Sequence, residues 1–498
     1  MTTTTISLSL ISHTNAGKTT LARTLLVRDV GEVRDAPHVT TEATAWPLVD
    51  TPDGDALLLW DTPGFGDSAR LARRLAQQGN PMGWFLAEVW DRFRDRPFFL
   101  TQLAVRNVRD SADVVLYLVN AAETPEDAGY LAPELAVLDW MQKPVIVLLN
   151  QTGPPRPAAD EAAEVKRWRS ALQHHAVVRT VLPLDAFARC WVQELALFDT
   201  VAEVLPSARR PAFERLAAAW RKRRWVQFDE AMATLAEPLA AAVGARVTLP
   251  ATPMLARLTQ AVGALRAAGD PAQEQALRTL AQRLDGDLRA AMDRLIGVYG
   301  LDGRAAAEVE ARMASDVVTD ARINEGKAAA MGGMVSGALT GLAADLAVGG
   351  LSFGGGMLTG ALLGALGGAG VARGVNVARG KTDDVVRWDD AFLHELLATL
   401  LLRYLAVAHY GRGRGEWQAC EYPPFWRARV SAVLAARQTD AAALWALHAP
   451  VVDAVQRLES ARLLLSASTR ALLDDLYPER DEYARTFEST TITKVLRA

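Results

Sequence analysis

The sequence contains little that would support disulfide, zinc or polyanion chemistry. Cysteine occurs only at Cys190 and Cys420 among 498 residues, so a disulfide framework and a cysteine-rich zinc site are both excluded. The seven histidines have no spacing typical of a metal site. Positive charge is not in excess, because 54 Lys and Arg residues oppose 58 Asp and Glu residues and the net charge is -4. Nucleic acid is therefore not an expected partner.

Apolar residues, in contrast, are abundant. Half of the chain is hydrophobic and 22% is charged, which is typical of a protein with packed cores, and the length leaves room for about three folded units. Residues 1–12 carry neither a basic segment nor a small-residue cleavage site. We therefore expect a strand there and no signal peptide, which together with the low cysteine content predicts a chain exposed to the cytoplasm.

Hydrophobic patterning divides the chain into four predicted segments. Residues 1–205 alternate short β-rich runs with helical runs, which predicts an α/β domain with a mostly parallel sheet and flanking helices. Residues 206–325 and 377–498 show helical periodicity and predict all-α regions, and a glycine-rich hydrophobic segment over 326–376 separates them. The predicted strands are 5–11, 43–49, 56–60, 113–119, 144–149 and 177–184.

Two helices of the all-α regions are predicted individually. Leucines three or four residues apart, including Leu280, Leu284 and Leu288, indicate one helix face, and Asp270-Pro271 predicts the start of that helix. A second, amphipathic helix is predicted to end before the glycine-rich run 411–415. Its apolar positions are Leu393, Leu396, Leu400, Tyr404 and Ala408.

A phosphate-binding loop is predicted directly after the first strand. The loop ends in Gly17-Lys18-Thr19 and begins with Ser12 in place of the usual first glycine. In such a loop backbone N–H groups face the phosphates, Gly17 permits their close approach, Lys18 reaches the β- and γ-phosphates, and Thr19 ligates Mg²⁺. The residues expected to contact the nucleotide here are Ser12, Thr14, Asn15, Ala16, Gly17, Lys18, Thr19 and Thr20.

A second element of the predicted site follows the third strand. Asp61-Thr62-Pro63-Gly64 places a carboxylate at the end of a hydrophobic strand, where Asp61 can hold Mg²⁺ through water, and a flexible hinge comes next. The N–H of Gly64 can then respond to the presence of a γ-phosphate. Between the two elements, Thr41 is the candidate switch threonine that touches Mg²⁺ and the γ-phosphate, with Thr40 as the alternative. The predicted metal ligands are Thr19, Thr41 and Asp61.

These ordered residues resemble the P-loop GTPases, and more narrowly their Era-like and TrmE-like branch, over residues 1–205. The resemblance implies that the chain binds GTP and GDP with Mg²⁺ and hydrolyses GTP. Asn15 stands where TrmE-like enzymes carry an asparagine that helps to bind an activating K⁺; alternatively, Asn15 braces the loop through its amide. Phe65 stands where Ras-like proteins have a water-orienting glutamine, so water must be oriented otherwise. The residues that the resemblance assigns to catalysis are Asn15, Lys18, Thr41 and Gly64.

The base-recognition element departs from this family pattern. Asn150-Gln151-Thr152-Gly153 follows the fifth strand where the family has Asn-Lys-x-Asp, so Gly153 replaces the carboxylate that accepts hydrogen bonds from guanine. After the sixth strand, the N–H of Ala186 could contact the base. Asp185 either replaces the missing carboxylate or caps a helix. The predicted base contacts are Asn150, Gln151, Asp185 and Ala186, and guanine over adenine is inferred from the family alone.

The segment between the two all-α regions predicts a hydrophobic helical hairpin. From residue 328 to 372 the only charged residue is Asp345. Two stretches, 328–348 and 353–372, approach the ~20 residues that span a bilayer, and their glycine spacing is typical of closely packed membrane helices. The glycines in question are Gly333, Gly337 and Gly341, then Gly356, Gly360, Gly364 and Gly368.

Membrane lipid is therefore a predicted partner. Positive charge outside both ends of the hairpin, at Arg322, Lys327 and Arg373, places both flanking regions on the cytoplasmic side. The predicted location is the cytoplasmic face of the inner membrane, peripheral or hairpin-inserted, and otherwise the cytoplasm. Two alternatives stay open: a hairpin buried among the flanking helices, and a hairpin exposed only by a nucleotide-driven opening. The basic run 221–224 between Trp220 and Trp225 could lie on anionic lipid or form a solvated helix face.

Three functions are compatible with these observations. The leading hypothesis is a membrane-associated GTP-binding switch, similar to a bacterial family of Era/TrmE-like GTPases with an uncharacterised C-terminal helical domain containing a glycine-zipper hairpin. The second is a membrane scaffold that binds nucleotide but hydrolyses it weakly, as Ser12, Phe65 and Gly153 each indicate. The third, an RNA-linked or ribosome-linked GTPase, is supported by branch resemblance only. A partner protein is compatible with all three, and the oligomeric state is not defined.

Overall fold

The computed structural model of the protein consists of two compact units. The first contains Met1–Val226, Ala408–Trp417 and Leu473–Ala498, and the second contains Gln227–Val407 and Gln418–Leu472. The predicted boundaries at 205, 325 and 376 stay predictions. The residues that the structure describes are 3–13, 16–27, 44–62, 64, 65, 67–76, 98, 105, 108–153, 156–186, 190–249, 271–301, 375–379, 384–410 and 423–478.

The first unit is built on a six-stranded sheet in the order β2-β3-β1-β4-β5-β6. Neighbouring strands are parallel, except that β2 runs antiparallel to β3. The mostly parallel sheet predicted for this part of the chain is confirmed, and each strand begins and ends within one residue of its prediction. The strands are β1 (Thr5–Ser12), β2 (Thr44–Asp50), β3 (Ala56–Asp61), β4 (Val114–Asn120), β5 (Val145–Asn150) and β6 (Val178–Pro183).

Burial explains which strands are central and which lie at the edge. Every residue of β5 is buried, as is every residue of β4 before Asn120, because helices cover both faces of a parallel sheet. Edge strand β2 contains Pro47, and its register with β3 shifts between Pro47 and Val49. Proline cannot donate a ladder hydrogen bond, so an edge position beside a bulge is where a sheet tolerates it.

Helices flank this sheet and bury a core of large side chains, among them Phe65, Tyr117 and Trp168. Because β1, β3, β4, β5 and β6 run in the same direction, the loops that follow them meet at one edge of the sheet. The helices of this part are α1 (Lys18–Leu26), α2 (Ser68–Ala76), α3 (Leu131–Met141), α4 (Ala158–Leu172) and α5 (Trp191–Val204), followed by α6 (Arg210–Gly244), whose residues 210–226 belong to the first unit.

The second unit is mainly helical. Helix α7 begins at Pro271, as predicted, and its face with Leu280, Leu284 and Leu288 is buried. In helix α8 all five predicted apolar positions are buried, and Leu397 is buried as well. The helix is therefore covered on more sides than an amphipathic helix requires. The helices after α6 are α7 (Pro271–Val298), α8 (Asp390–Ala408), α9 (Pro424–Ala436), α10 (Gln438–Trp445) and α11 (Ala454–Leu476).

Within the described residues, α8 is the one helix that is long and apolar enough to cross a membrane. About two thirds of its apolar stretch (67%) is buried inside the protein, as in an ordinary core helix, so its length and composition are weak evidence for a span. The predicted hairpin over 328–372 lies outside the described residues.

The second unit also contains a small antiparallel sheet, absent from the sequence prediction, in the order β7-β9-β8. Its strands are β7 (Arg246–Thr248), β8 (Val375–Arg379) and β9 (Asp384–Trp388).

The basic run in α6 is partly buried against the first unit's own helices. Trp220 is 1% exposed and stacks on Phe198 at 5.3 Å between ring centroids. Arg224 is buried and pairs with the buried carboxylate of Glu194 at 2.7 Å. The interpretation that this run and its indoles lie on lipid is therefore wrong for Trp220 and Arg224, because a buried ion pair and a buried ring are not available to a membrane surface.

Candidate functional site

The predicted phosphate-binding loop lies between β1 and α1, at the carboxyl edge of the sheet. Strand β1 ends at Ser12 and α1 begins at Lys18, with Thr20 buried in the first helical turn. Gly17 has a φ of 89°, a conformation that favours glycine, and a Cβ there would lie 2.6 Å from Asn150 Nδ2. The loop therefore requires glycine at this position and leads directly into a helix N-terminus, where backbone N–H groups favour anions.

Lys18 is buried at the base of the loop. Its Nζ donates a hydrogen bond to Ser12 Oγ at 3.0 Å, and Ser12 Oγ donates to the carbonyl of His13 at 2.5 Å. Burial lowers the pKa of Lys18, while the negative charges of Asp61 and Glu134 act in the opposite direction. The serine that replaces the usual first glycine thus supplies a hydroxyl that orients the lysine.

Thr19 and Asp61 form the candidate metal position. Thr19 Oγ1 donates to Asp61 Oδ2 at 2.6 Å, and Asp61 is 3% exposed. Burial raises the pKa of Asp61, against the opposing hydrogen bond from Thr19 and the charge of Lys18. Asp61 Oδ1 is buried and has no hydrogen-bond partner among the described residues. A hydroxyl beside a carboxylate with an unsatisfied oxygen fits Mg²⁺, which prefers oxygen ligands and few carboxylates.

The chain that follows Asp61 folds back over the start of the phosphate loop. Thr62 Oγ1 donates to the carbonyl of Leu10 at 2.5 Å, and the N–H of Phe65 donates to the carbonyl of Ser12 at 3.0 Å. The Phe65 side chain is fully buried in the core, so it cannot orient a water molecule. Gly64 is buried here, and its predicted contact with the γ-phosphate stays a prediction.

Asn150 joins three loops of the site. Its Nδ2 donates to the carbonyl of Ala16 at 2.6 Å, and its Oδ1 accepts from the N–H of Ala186 at 2.8 Å. The carbonyl of Ala186 in turn accepts from Thr24 Oγ1 in α1 at 3.1 Å. Asn150 therefore holds the phosphate loop and the loop after β6 together. The N–H of Ala186 donates to Asn150 here, and its predicted contact with the base stays a prediction.

The Asp185 side chain is hydrogen-bonded to the loop after β5. Its Oδ2 accepts from the N–H of Thr152 at 2.7 Å and from Thr152 Oγ1 at 2.9 Å, and the residue is 3% exposed. It does not cap α5, which begins later at Trp191. Gly153 and Gln151 both have positive φ, of 82° and 60°. The loop that would carry the guanine-binding carboxylate thus has none at Gly153, and the nearby Asp185 carboxylate braces Thr152.

Several predicted site residues lie outside the described residues. These are Thr14 and Asn15 in the phosphate loop and Thr40 and Thr41 before β2. Their predicted contacts with phosphate, Mg²⁺ and K⁺ stay predictions.

Sequence reasoning missed a polar network beneath the phosphate loop. Glu134 of α3 accepts from Tyr117 of β4 and contacts His13, the second residue of the loop. The available signal was a glutamate between Leu131 and Leu138 on an otherwise apolar helix face. A buried carboxylate on such a face needs polar partners, but the sequence does not say which ones.

Two family models match the chain. Residues 7–151 match the family described as 50S ribosome-binding GTPase, and residues 169–460, more than half of the chain, match the domain of unknown function DUF3482. No curated protein matches.

Solved structures of GTP-binding proteins match part of the chain. A variant of Aquifex aeolicus Era bound to GDP and AlF4⁻ is 19% identical, with a TM-score of 0.29, and the match covers 41% of this chain and 58% of Era. Era with MgGDPNP and nucleotides 1506–1542 of 16S ribosomal RNA gives the same values. A bacterial selenocysteine-specific elongation factor is 16% identical, with a TM-score of 0.24, over 36% of this chain and 26% of that one. The match to Era thus spans little more than half of that protein's length.

Proposed function

Since the chain belongs to the DUF3482 family and carries a GTP-binding P-loop GTPase domain in front of that region, we propose that it is a molecular switch that hydrolyses GTP to GDP and phosphate. The GTPase domain is the part that binds and hydrolyses the nucleotide. In this proposal the helical remainder of the chain responds to which nucleotide is bound.

The observation that carries this proposal is the arrangement of Lys18, Thr19 and Asp61. Lys18 follows a glycine whose conformation and close contact with Asn150 exclude any side chain, and it is placed to neutralise the β- and γ-phosphates. The Thr19 hydroxyl and the Asp61 carboxylate would hold Mg²⁺, directly and through water. When bound, Mg²⁺ neutralises charge that develops on the phosphates.

The chain's own residues then account for most of the reaction. The loop from Ser12 to Lys18 binds and orients the triphosphate so that water attacks the γ-phosphorus in line with the leaving oxygen. Buried Phe65 does not take the water-orienting position, so another group must do so.

We also propose that Asn15 helps to bind a K⁺ ion, and that this ion supplies positive charge that stabilises the transition state. Equal hydrolysis rates in potassium and sodium buffers would contradict that assignment.

The test of the main proposal is multiple-turnover phosphate release in excess of bound nucleotide. We expect the wild-type chain to release phosphate from Mg²⁺·GTP, and Lys18→Ala to abolish release. Lys143→Ala is the matched control. Lys143 Nζ also donates a partly buried hydrogen bond, to the carbonyl of Ala112 at 2.8 Å, but this bond lies at the opposite edge of the sheet. Nucleotide retention without turnover would favour the weakly hydrolysing scaffold instead.

We also propose that the switch acts at the cytoplasmic face of the inner membrane. The support is compositional: an almost uncharged run over 328–372 in which glycine recurs every fourth residue over 333–341 and over 356–368. The test is partition between membrane and soluble fractions with GDP and with a non-hydrolysable GTP analogue. A protein that stays in the soluble fraction with both nucleotides would contradict the membrane proposal and leave the GTPase proposal intact.

A ribosome-linked function is the second candidate. It is favoured by one observation, the match of residues 7–151 to a family described as 50S ribosome-binding GTPase. The net charge of -4 opposes it, since RNA binding depends on excess positive charge. Salt-sensitive retention on ribosomal particles would support this candidate, and no retention at low salt would remove it.

A further inference from the structure

The polar network beneath the phosphate loop links three elements of the first unit. His13 Nδ1 lies 2.9 Å from Glu134 Oε1, and Tyr117 OH donates to Glu134 Oε2 at 2.7 Å. His13 also stacks on the ring of Tyr130, with ring centroids 4.5 Å apart and planes 15° from parallel. The imidazole is therefore fixed both by its ring face and by its Nδ1 edge.

Because Glu134 is buried, the loss of either hydrogen bond would be costly. The Glu134 side chain is fully buried, whereas His13 is 37% exposed. Burial raises the pKa of Glu134, while the hydrogen bonds from His13 and Tyr117 and the charge of Lys18 oppose that rise. A buried carboxyl group that loses a partner is left with an unsatisfied oxygen, which is costly in the protein interior. The network is thus strongly held in one arrangement.

The position of His13 determines what the network holds in place. His13 directly follows Ser12, whose hydroxyl accepts from Lys18 and donates to the His13 carbonyl. The same stretch pairs with the chain after Asp61, since His13 and Phe65 form a parallel bridge. Fixing the imidazole therefore fixes the backbone that sets the lysine's hydrogen bond and the start of the second switch element.

We propose that Glu134 and His13 are positioning residues for nucleotide binding: their hydrogen bond, supported by Tyr117, anchors the first turn of the phosphate loop to α3. This inference rests on the proposed nucleotide-binding function and extends it to two residues outside the motif. Because His13 Nδ1 faces Glu134 and its ring lies on Tyr130, we assign the pair a role in holding the loop.

The same helix offers a matched control pair. His175 Nδ1 lies 2.6 Å from Asp139 Oδ2. Asp139 is in the last turn of α3 and His175 lies just before β6, so this pair is away from the carboxyl edge of the sheet. A general contribution of histidine–carboxylate pairs to stability would appear at both ends of α3. A positioning role predicts an effect on nucleotide binding only at the His13 end.

The test compares His13→Leu with His13→Asn in the full chain, using the dissociation rate of a fluorescent GDP in Mg²⁺. The two replacements have similar size, but only the asparagine amide can still donate to Glu134. We expect dissociation to be about tenfold faster for His13→Leu, with much of the loss restored in His13→Asn. Glu134→Gln, which keeps hydrogen-bonding capacity, should likewise retain more affinity than Glu134→Leu. The control His175→Leu, which breaks the pair with Asp139, should release GDP at the wild-type rate.

The possible results separate a failure of the positioning role from a failure of the proposed nucleotide-binding function. If wild type does not retain GDP in Mg²⁺, the proposed function fails and the inference fails with it. If wild type retains GDP and His13→Leu dissociates at the wild-type rate, the positioning role is wrong while the function stands. If His13→Leu and His13→Asn are equally weakened, stacking on Tyr130 is responsible and the Glu134 hydrogen bond is not. His13 is partly exposed, so these variants are expected to fold even if Glu134→Leu does not.

Discussion

The two ends of the nucleotide site are built in opposite ways. At the phosphate end, Lys18, Thr19 and Asp61 are buried, and Asp61 Oδ1 has no hydrogen-bond partner among the described residues, so this end keeps charge and hydrogen-bonding capacity for a ligand. At the base end, the side-chain oxygens of Asn150 and Asp185 accept hydrogen bonds from neighbouring loops. The comparison supports the proposal that this site holds a magnesium-bound phosphate group and devotes few of its described residues to reading the base.

The largest effect is expected from removing the metal position. Asp61→Asn removes the charge that balances Mg²⁺ while keeping the shape of the side chain, and we expect Mg²⁺-dependent GDP affinity to fall about 100-fold. Titration of GDP binding against Mg²⁺ measures it, and EDTA added to the wild type should produce a similar loss. Asp185→Asn is the comparison at the base end. An equal loss in both variants would break the contrast between the two ends.

Gly17→Ala is expected to have the next largest effect. A Cβ would lie 2.6 Å from Asn150 Nδ2, and the φ of 89° is itself unfavourable for alanine. We expect a loss of about 2 kcal/mol in the free energy of unfolding together with weaker nucleotide binding. Thermal unfolding with and without GDP separates the two losses. Gly286→Ala is the control, since no described residue lies within 4 Å of a Cβ there, and it should not destabilise the chain.

Asn150→Ala should weaken both ends together. It leaves the carbonyl of Ala16 and the N–H of Ala186 without their buried partner, and each such loss costs about 1–3 kcal/mol. We expect roughly tenfold weaker GDP binding, measured by competition with a fluorescent GDP. Asn120→Ala changes the corresponding residue at the end of β4, whose side chain bonds only within its own exposed loop among the described residues, and it should bind normally.

The smallest effect is expected from changing the base. Inosine diphosphate differs from GDP by lacking the exocyclic amino group, which a carboxylate at position 153 would recognise. With Gly153 there and Asp185 bonded to Thr152, we expect GDP and inosine diphosphate to differ by less than about threefold, whereas a site that pairs this group discriminates far more strongly. Side-by-side competition measures the ratio. A tenfold preference for GDP would show that another group reads the amino group and would weaken the contrast between the two ends of the site.

Much of the first unit could be predicted because its signals are local. Short β-rich runs of five to eight residues predicted the six strands of the first sheet, and the motif residues Gly17, Lys18 and Asp61 lie together at its carboxyl edge. The partners of Asn150 and Asp185 could not be predicted, since they come from loops up to 134 residues away. Glu134 stood out only as a charge on an apolar face. The short strands β8 and β9 were missed because five-residue strands within helical surroundings carry too little periodicity to be recognised.

Asn150 also has a consequence for the affinity of the proposed nucleotide site. The side-chain amide of Asn150 fixes the distance between the loop after β1 and the loop after β6 without any contribution from a ligand. Their entropy of ordering is therefore lost when the chain folds and need not be supplied by contacts with the incoming molecule. Such preorganisation raises affinity without a single added contact, so a site that makes few bonds to the base can still bind its ligand tightly.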